Sequence, residues 1–315
     1  NAQGADAYRA DIGGGVGRAL DRLAQYYIKL AENTFPVIEV ALEGIAPFWL
    51  AGYRIGFGTL LSLLAWRALG GRLFDTPPDA GQKVTLVVVG VLSSALPFTL
   101  ISWGQQSVTA GFTGVAMACV ALIVLPLAHF LVPGERITWR KVLGFFIGFA
   151  GVLVLVGPEP WQGSGSSGEL AGQLACLGAA ACYALSSILM RRLPPVDPVG
   201  LSAVLLAIGA AVVLPAAWAQ EGPPPLPDTR TLIALAVLGL LPATLANLLR
   251  VAVIRSAGPV FMSLTNYQVP LWSVALGVIF LGEPLHLSLL LAAGLILTGV
   301  ALSQYGALKR LFARP

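Results

Sequence analysis

Residues 109–135 read TAGFTGVAMACVALIVLPLAHFLVPGE, and residues 256–283 read SAGPVFMSLTNYQVPLWSVALGVIFLGE. Each stretch opens on a hydroxyl residue followed by Ala-Gly, runs apolar, and closes on Gly-Glu. Thr109-Ala110-Gly111 and Ser256-Ala257-Gly258 lie 147 residues apart, and Gly134-Glu135 and Gly282-Glu283 lie 148 apart. Gly151-Val152 and Gly299-Val300, in the apolar run after each corner, repeat at 148 again. Three landmarks at nearly one offset make an internal repeat, and the chain divides into two halves. Each stretch also has the length, about 20 mostly apolar residues, that an α-helix needs to cross ~30 Å of hydrocarbon.

Further runs of that kind fall at roughly 46–69, 84–104, 110–132, 141–157, 169–190, 198–219, 231–253, 259–281 and 286–306. Turn residues join them: Asp75-Thr76-Pro77-Pro78, Pro133-Gly134, Pro194-Pro195 and Pro223-Pro224-Pro225. The composition agrees. Hydrophobic residues make up 57% of the 315 and charged residues 11%, against about 25% charged in soluble proteins, and mean hydropathy is +0.81. Thirty-four charges cannot clothe a soluble protein of this size. A disordered chain, a disulfide scaffold, a nucleic-acid binder and an ordinary cytosolic enzyme are unlikely readings. The expected class is an all-α integral membrane protein.

Residues 17–43 sit where a tenth span belongs, but Arg18, Asp21, Arg22, Lys29, Glu32, Glu39 and Glu43 punctuate them. Central charges at ~2.5–3.5 kcal/mol each make this a poor independent span. About ten spans in two halves means five per half. An odd number inverts the second half, the design of secondary transporters with a site between the halves. With the C-terminus in the cytoplasm, the inside loops hold Arg67, Arg72, Lys83, Arg136, Arg140, Lys141, Arg191, Arg192, Arg255, Lys309, Arg310 and Arg314. The outside loops hold Arg230 alone. That bias predicts a cytoplasmic C-terminus. No apolar stretch in residues 1–33 reads as a cleavable signal, and the first residue is Asn, as in an excerpt or processed chain.

Pro133-Gly134-Glu135-Arg136-Ile137-Thr138, with Gly144 and Gly151-Val152, resembles the corner and fifth helix of the EamA family, within the drug/metabolite transporter superfamily. Asn266-Tyr267-Gln268-Val269-Pro270-Leu271-Trp272 and Phe280-Leu281-Gly282-Glu283-Pro284 resemble its ninth helix and closing corner. Pro47-Phe48-Trp49-Leu50-Ala51-Gly52-Tyr53-Arg54 resembles its second helix, including the intramembrane Arg. The resemblance covers about residues 34–306. It implies ten-helix carriers that export amino acids, other metabolites or drugs. One departure stands at the start: Ala31-Glu32-Asn33 precedes Thr34-Phe35-Pro36, where members carry a small apolar first helix. The organisation expected is a charged N-terminal segment (1–33), a first repeat (34–158), a second repeat (168–306) and a basic cytoplasmic tail (307–315).

Ionisable groups at membrane depth mark candidate sites. Arg54 lies eight residues into its span, about 12 Å deep at 1.5 Å per residue. It either binds a substrate carboxylate, pairs with an acid, or anchors the helix. Gly52 and Gly56, four apart, suit a close helix contact on another face. Glu39 is a proton site, an Arg54 partner or an interfacial charge. Arg250 shares a helix face with Asn247 and reads as snorkelling to the nearby cytoplasmic surface. Thr265, Gln268 and Trp272 fall at i, i+3 and i+7, one stripe beside Asn266, lining a cavity or gluing helices. Trp103, with Gln105 and Gln106, belongs to the solute path or to an aromatic belt. Tyr183 and Ser186, at i and i+3, are similar candidates.

Pro97, Pro126, Pro215, Pro242 and Pro270 interrupt five spans as potential kinks. Gly163, Gly165 and Gly168 match a dinucleotide fingerprint in form, but follow a membrane helix and read as a flexible outside loop. No phosphate-binding loop of the GxxxxGK type is present, so ATP is not the expected driving force, and no cofactor is expected. Two His (His129, His286) make no metal site alone, and Cys119, Cys176 and Cys182 read as small buried residues. The expectation is therefore a carrier, not an enzyme, in a bacterial inner membrane, contacting lipid and a small solute but no nucleic acid. It works by alternating access, most simply as an exporter. An importer or exchanger on the same scaffold is the nearest rival. An intramembrane enzyme, which needs a nucleophile with base or an acid pair at depth, is the more distant one.

Overall fold

The computed structural model describes residues 34–70, 73, 79–131, 138–156, 167–257, 262, 268–303 and 305, and among these every regular element is helical. The helices are α1 (Thr34–Leu42), α2 (Pro47–Ala68), α3 (Ala80–Gly104), α4 (Ala110–Leu131) and α5 (Trp139–Val156). After them come α6 (Ser167–Arg191), α7 (Pro198–Glu221), α8 (Thr229–Leu238, Gly239–Ala246 and Asn247–Ala257), α9 (Gln268–Leu281) and α10 (Leu287–Ser303). Seven of the described helices, α2 to α8, are long and apolar enough to cross a membrane; α9 and α10 are apolar but shorter. Of the poor first span at 17–43, residues 17–33 lie outside the described residues, as do the Gly134-Glu135 corner and the Gly163–Gly165 loop.

The outward faces are apolar. Leu64 on α2, Val84 on α3, Phe146 and Phe149 on α5, Trp218 on α7, Ile233 on α8 and Ile279 and Phe280 on α9 are all exposed. Charged side chains are nearly absent from these belts, as lipid contact requires.

Helix polarity explains where the charges went instead. A helix begins with unsatisfied N–H groups and ends with unsatisfied carbonyls. At one end of the bundle, carboxylates from elsewhere fill the first need. Glu221, the last residue of α7, accepts from Phe48 N at 2.9 Å and Trp49 N at 2.8 Å at the start of α2. Glu283 accepts from Ala110 N at 2.6 Å and Gly111 N at 3.1 Å at the start of α4. At the opposite end, arginines fill the second need. Arg192 donates to Leu131 O at 2.7 Å, Arg255 to Met190 O, Leu193 O and Pro194 O, and Arg191 to Arg255 O. Each contact also sets charge against the favourable pole of a helix dipole. The Lys/Arg bias read from the loops is in part a set of caps.

Three pairs of helices five apart in order, α2 with α7, α4 with α9 and α5 with α10, pack together and run antiparallel. Glu221 and Glu283 show this for α2 with α7 and α4 with α9. For α5 and α10, Gly144 lies against Ser303 and Gly151 against Ile296. Glycine makes this last pairing possible: a Cβ on Gly299 would stand 2.4 Å from Gly144 O and 2.4 Å from Gly148 N. The expected partner Gly56 does not behave this way. Gly52 lies under Leu214, but a Cβ on Gly56 would meet nothing within 4 Å, and Gly58, packed on Ala243, supplies the close approach instead.

Both α3 and α8 widen into a π-helical stretch, Val91–Ala95 and Gly239–Ala246, whose first residues are 148 positions apart. Pro97 and Pro242 account for the interruption, since a proline in a helix removes one amide donor and frees a carbonyl. In α8 the Thr244 hydroxyl bonds Gly239 O at 2.8 Å.

The Glu283 contact yields a direct prediction. Glu283→Ala leaves two helix-terminal amides without an acceptor, and should destabilise the detergent-solubilised protein by about 1.5–3 kcal/mol, the range for hydrogen bonds to charged groups. Glu283→Gln, which keeps an acceptor but not the charge, should lose less. Equal thermal unfolding of all three proteins would mean the contact contributes nothing.

Candidate functional site

Between the helices lies a cavity of about 90 Å³. It is small beside the ~300–1,000 Å³ common for small-molecule sites. Its walls come from α1 (Thr34, Phe35), α2 (Arg54), α3 (Phe98, Ile101), α4 (Met117, Val120, Val124), α6 (Tyr183, Ser187), α8 (Asn247, Arg250), Met262 and α9 (Val269). Both halves of the sequence contribute.

Arg54 reaches this wall because its neighbours on α2 are committed elsewhere. Trp49, Tyr53 and Phe57, spaced by four, stack along one side of the helix with centroids 5.8 and 6.2 Å apart. Trp49 Nε1 donates to Gly222 O at 3.1 Å and Tyr53 OH to Pro225 O at 2.7 Å. One residue beyond Tyr53 the helix has turned by about 100°, which carries Arg54 to the cavity side. Its guanidinium carbon stands 4.0 Å from the centre of the Phe98 ring. The residue is 3% exposed, and its Nε and Nη1 have no hydrogen-bond partner among the described residues.

Arg250 faces the same cavity and does not snorkel. It is 6% exposed. Its Nη2 donates to Ser186 Oγ and Ser187 Oγ, both at 2.9 Å, and to Tyr183 O at 3.2 Å, with the guanidinium 4.9 Å from the Tyr183 ring centre. Asn247, one turn earlier, donates to Ser202 Oγ at 3.0 Å. The site is thus two guanidinium groups, each over an aromatic face, in an otherwise mostly apolar chamber. One guanidinium is tied down by hydroxyls; the other has nitrogens to spare.

A second, larger and more polar cavity of about 560 Å³ lies at the carboxylate-capped end. Glu39, Gln105, Gln106, Glu169, Gln173 and His286 line it. Glu39 lies close to Glu283 and the Ala110 amide. Gln105 Nε2 donates to Phe35 O at 3.2 Å, so this contact stands between the two cavities.

Of the residues singled out in the sequence, Arg54, Tyr183 and Asn247 line the central cavity, and Glu39 the polar one. Trp103 and Trp272 are 39% and 47% exposed and line neither. Thr265 and Asn266 lie outside the described residues, as does the Gln268 side chain. Arg250, Ser187 and Phe98 were not proposed as site residues. The i, i+3 relation of Asn247 to Arg250 was the available signal for the first of these. Cys119 and Cys176 are buried in the apolar core and Cys182 is half-buried.

The profile of the EamA-like transporter family matches residues 33–157 and 170–305, one match per half. "Uncharacterized transporter YvbV" of Bacillus subtilis is 28% identical over 85% of this chain and 86% of its own length. A "Probable terminal-alkyne amino-acid exporter" of Streptantibioticus cattleyicolor is 28% identical over 39% of this chain and 40% of its own. A solved crystal structure superimposes with TM-score 0.67 at 19% identity, covering 92% of this chain and 98% of its own, which shows a shared fold.

Proposed function

Because this chain belongs to the EamA-like transporter family, a family of multi-pass membrane proteins, we propose that it is a secondary transporter that exports a small organic solute. It works by alternating access at the cavity lined by Arg54 and Arg250. The observation that carries this reading is the Arg54 guanidinium: buried, short of hydrogen-bond partners, and facing a chamber walled by helices of both halves. A guanidinium in hydrocarbon is costly unless something pairs with it, and a passing solute can do so. Ten helices in two inverted repeats are the architecture proposed. The antiparallel pairs α2–α7, α4–α9 and α5–α10, the 148-residue separation of the two π-helical stretches and the doubled family match all support it. The exporter name of the Streptantibioticus relative supports outward transport.

The direct test is solute counterflow in proteoliposomes, with a panel of labelled amino acids and organic acids, with and without a pH gradient. Saturable, protein-dependent exchange of at least one solute is the expected result; no exchange across the panel in either condition counts against the reading.

The proposed membrane is the bacterial inner membrane, with the arginine-capped end and the C-terminus in the cytoplasm. Reporters fused after Leu311 and inside the 163–168 loop should then report opposite sides. Finding both on one side would overturn the ten-helix arrangement.

A further inference from the structure

Among the described residues, the central cavity is lined by two arginines and by no aspartate or glutamate. The acidic side chains that face a cavity, Glu39 and Glu169, face the polar one at the capped end instead. Arg250 is held by Ser186, Ser187 and the Tyr183 carbonyl, so it supplies a fixed positive field. Arg54 has its Nε and Nη1 left to donate. A planar guanidinium suits a carboxylate, which it can grip in two hydrogen bonds. The remaining wall, including Met117, Val120, Val124 and Val269, is apolar.

We propose that this cavity selects organic anions with an apolar body and no ammonium group, and discriminates against zwitterionic amino acids. This rests on the cavity being the transport site. An α-ammonium group lies next to its own carboxylate. Once that carboxylate docks on Arg54, the ammonium enters the field of both guanidiniums, with no carboxylate among the described lining residues to receive it. In a poorly hydrated chamber like charges are not screened as they are in water. A deaminated analogue of the same skeleton keeps the useful charge and loses the repelled one.

The test is a matched series on the full-length protein. One set shares a phenylpropyl skeleton: 3-phenylpropanoate, phenylalanine, the corresponding amine and the corresponding alcohol. A second repeats it on an isobutyl skeleton: 4-methylpentanoate, leucine, amine and alcohol. Binding is read in detergent by thermal stabilisation and tryptophan fluorescence, and counterflow is read in proteoliposomes. At least one anion should bind roughly tenfold or more tighter than its amino acid, with amine and alcohol weaker still. Arg54→Gln should weaken that preference, because only Arg250 is then left to repel the ammonium. The proposal is overturned if either amino acid binds as well as its anion, if neither anion binds, or if the preference is undiminished in Arg54→Gln. Anion binding without counterflow would instead sink the transport reading and leave the selectivity standing. Counterflow of amino acids with no preference for anions would do the reverse.

Discussion

Arg54→Ala should reduce counterflow per folded molecule by about two orders of magnitude. Truncating one partner of a buried, hydrogen-bonded charge pair costs about 2–5 kcal/mol of binding, and each ~1.4 kcal/mol is a factor of ten. Arg54→Lys keeps a charge but gives up the planar fork, and should fall between wild type and alanine. The stability readout makes the test decisive, because it should move the other way. Arg54 has buried nitrogens with no hydrogen-bond partner among the described residues, so the guanidinium is a burden on the fold. Arg54→Met, unbranched and apolar, should unfold at a higher temperature than wild type while transporting poorly. An anchoring Arg predicts the opposite pattern: lower folded yield and normal turnover in what survives. Measuring transport per folded molecule beside the unfolding temperature separates the two.

Gly299→Val should strongly disrupt the bundle. The contact it closes is backbone on backbone, Gly299 against Gly144 O and Gly148 N, each 2.4 Å from the Cβ site. Backbone cannot rotate away as a side chain can, so α5 and α10 must separate along their length. Overpacking a core costs about 1–3 kcal/mol, and here the cost should lie at or above the top of that range. Gly294→Val is the control, on the same helix with nothing within 4 Å of its Cβ site. Aggregation and a lowered unfolding temperature in Gly299→Val, with Gly294→Val near wild type, are the expected results. Similar behaviour of the two variants would mean that α5 and α10 are not joined at Gly299.

The positions of α2 to α10 were legible because a membrane-crossing helix has to be apolar over its whole length, and because the duplication wrote the Ala-Gly and Gly-Glu landmarks twice. Arg54 was legible for a related reason: a charge in an apolar run stands out. Arg250 was misread because nearness to a helix end suggested an escape to water. What keeps it inside is the ring and carbonyl of Tyr183 with Ser186 and Ser187, 63 to 67 residues away in the chain, and no local pattern announces them. The π-helical stretch ahead of Asn247 also shifts the phase of everything after it, so counting by 3.6 across α8 misplaces its faces. Of the stripe proposed through Thr265, Gln268 and Trp272, Thr265 and the Gln268 side chain lie outside the described residues, and Trp272 lies on the exposed side of α9. The caps supplied by Glu221 and Glu283 were beyond reach altogether, since each joins residues 172 and 173 positions apart.

That separation has a consequence for biogenesis. A ribosome adds about 5–20 residues per second. The start of α4 therefore leaves the ribosome roughly ten to thirty seconds before Glu283 is synthesised, and the start of α2 waits as long for Glu221. During that interval the first half sits in the membrane with the opening amides of two helices still lacking their final acceptors. Lipid headgroups and interfacial water have to serve in the meantime. The first half is a nascent chain in waiting, and its last stabilising contacts arrive with the final third of translation.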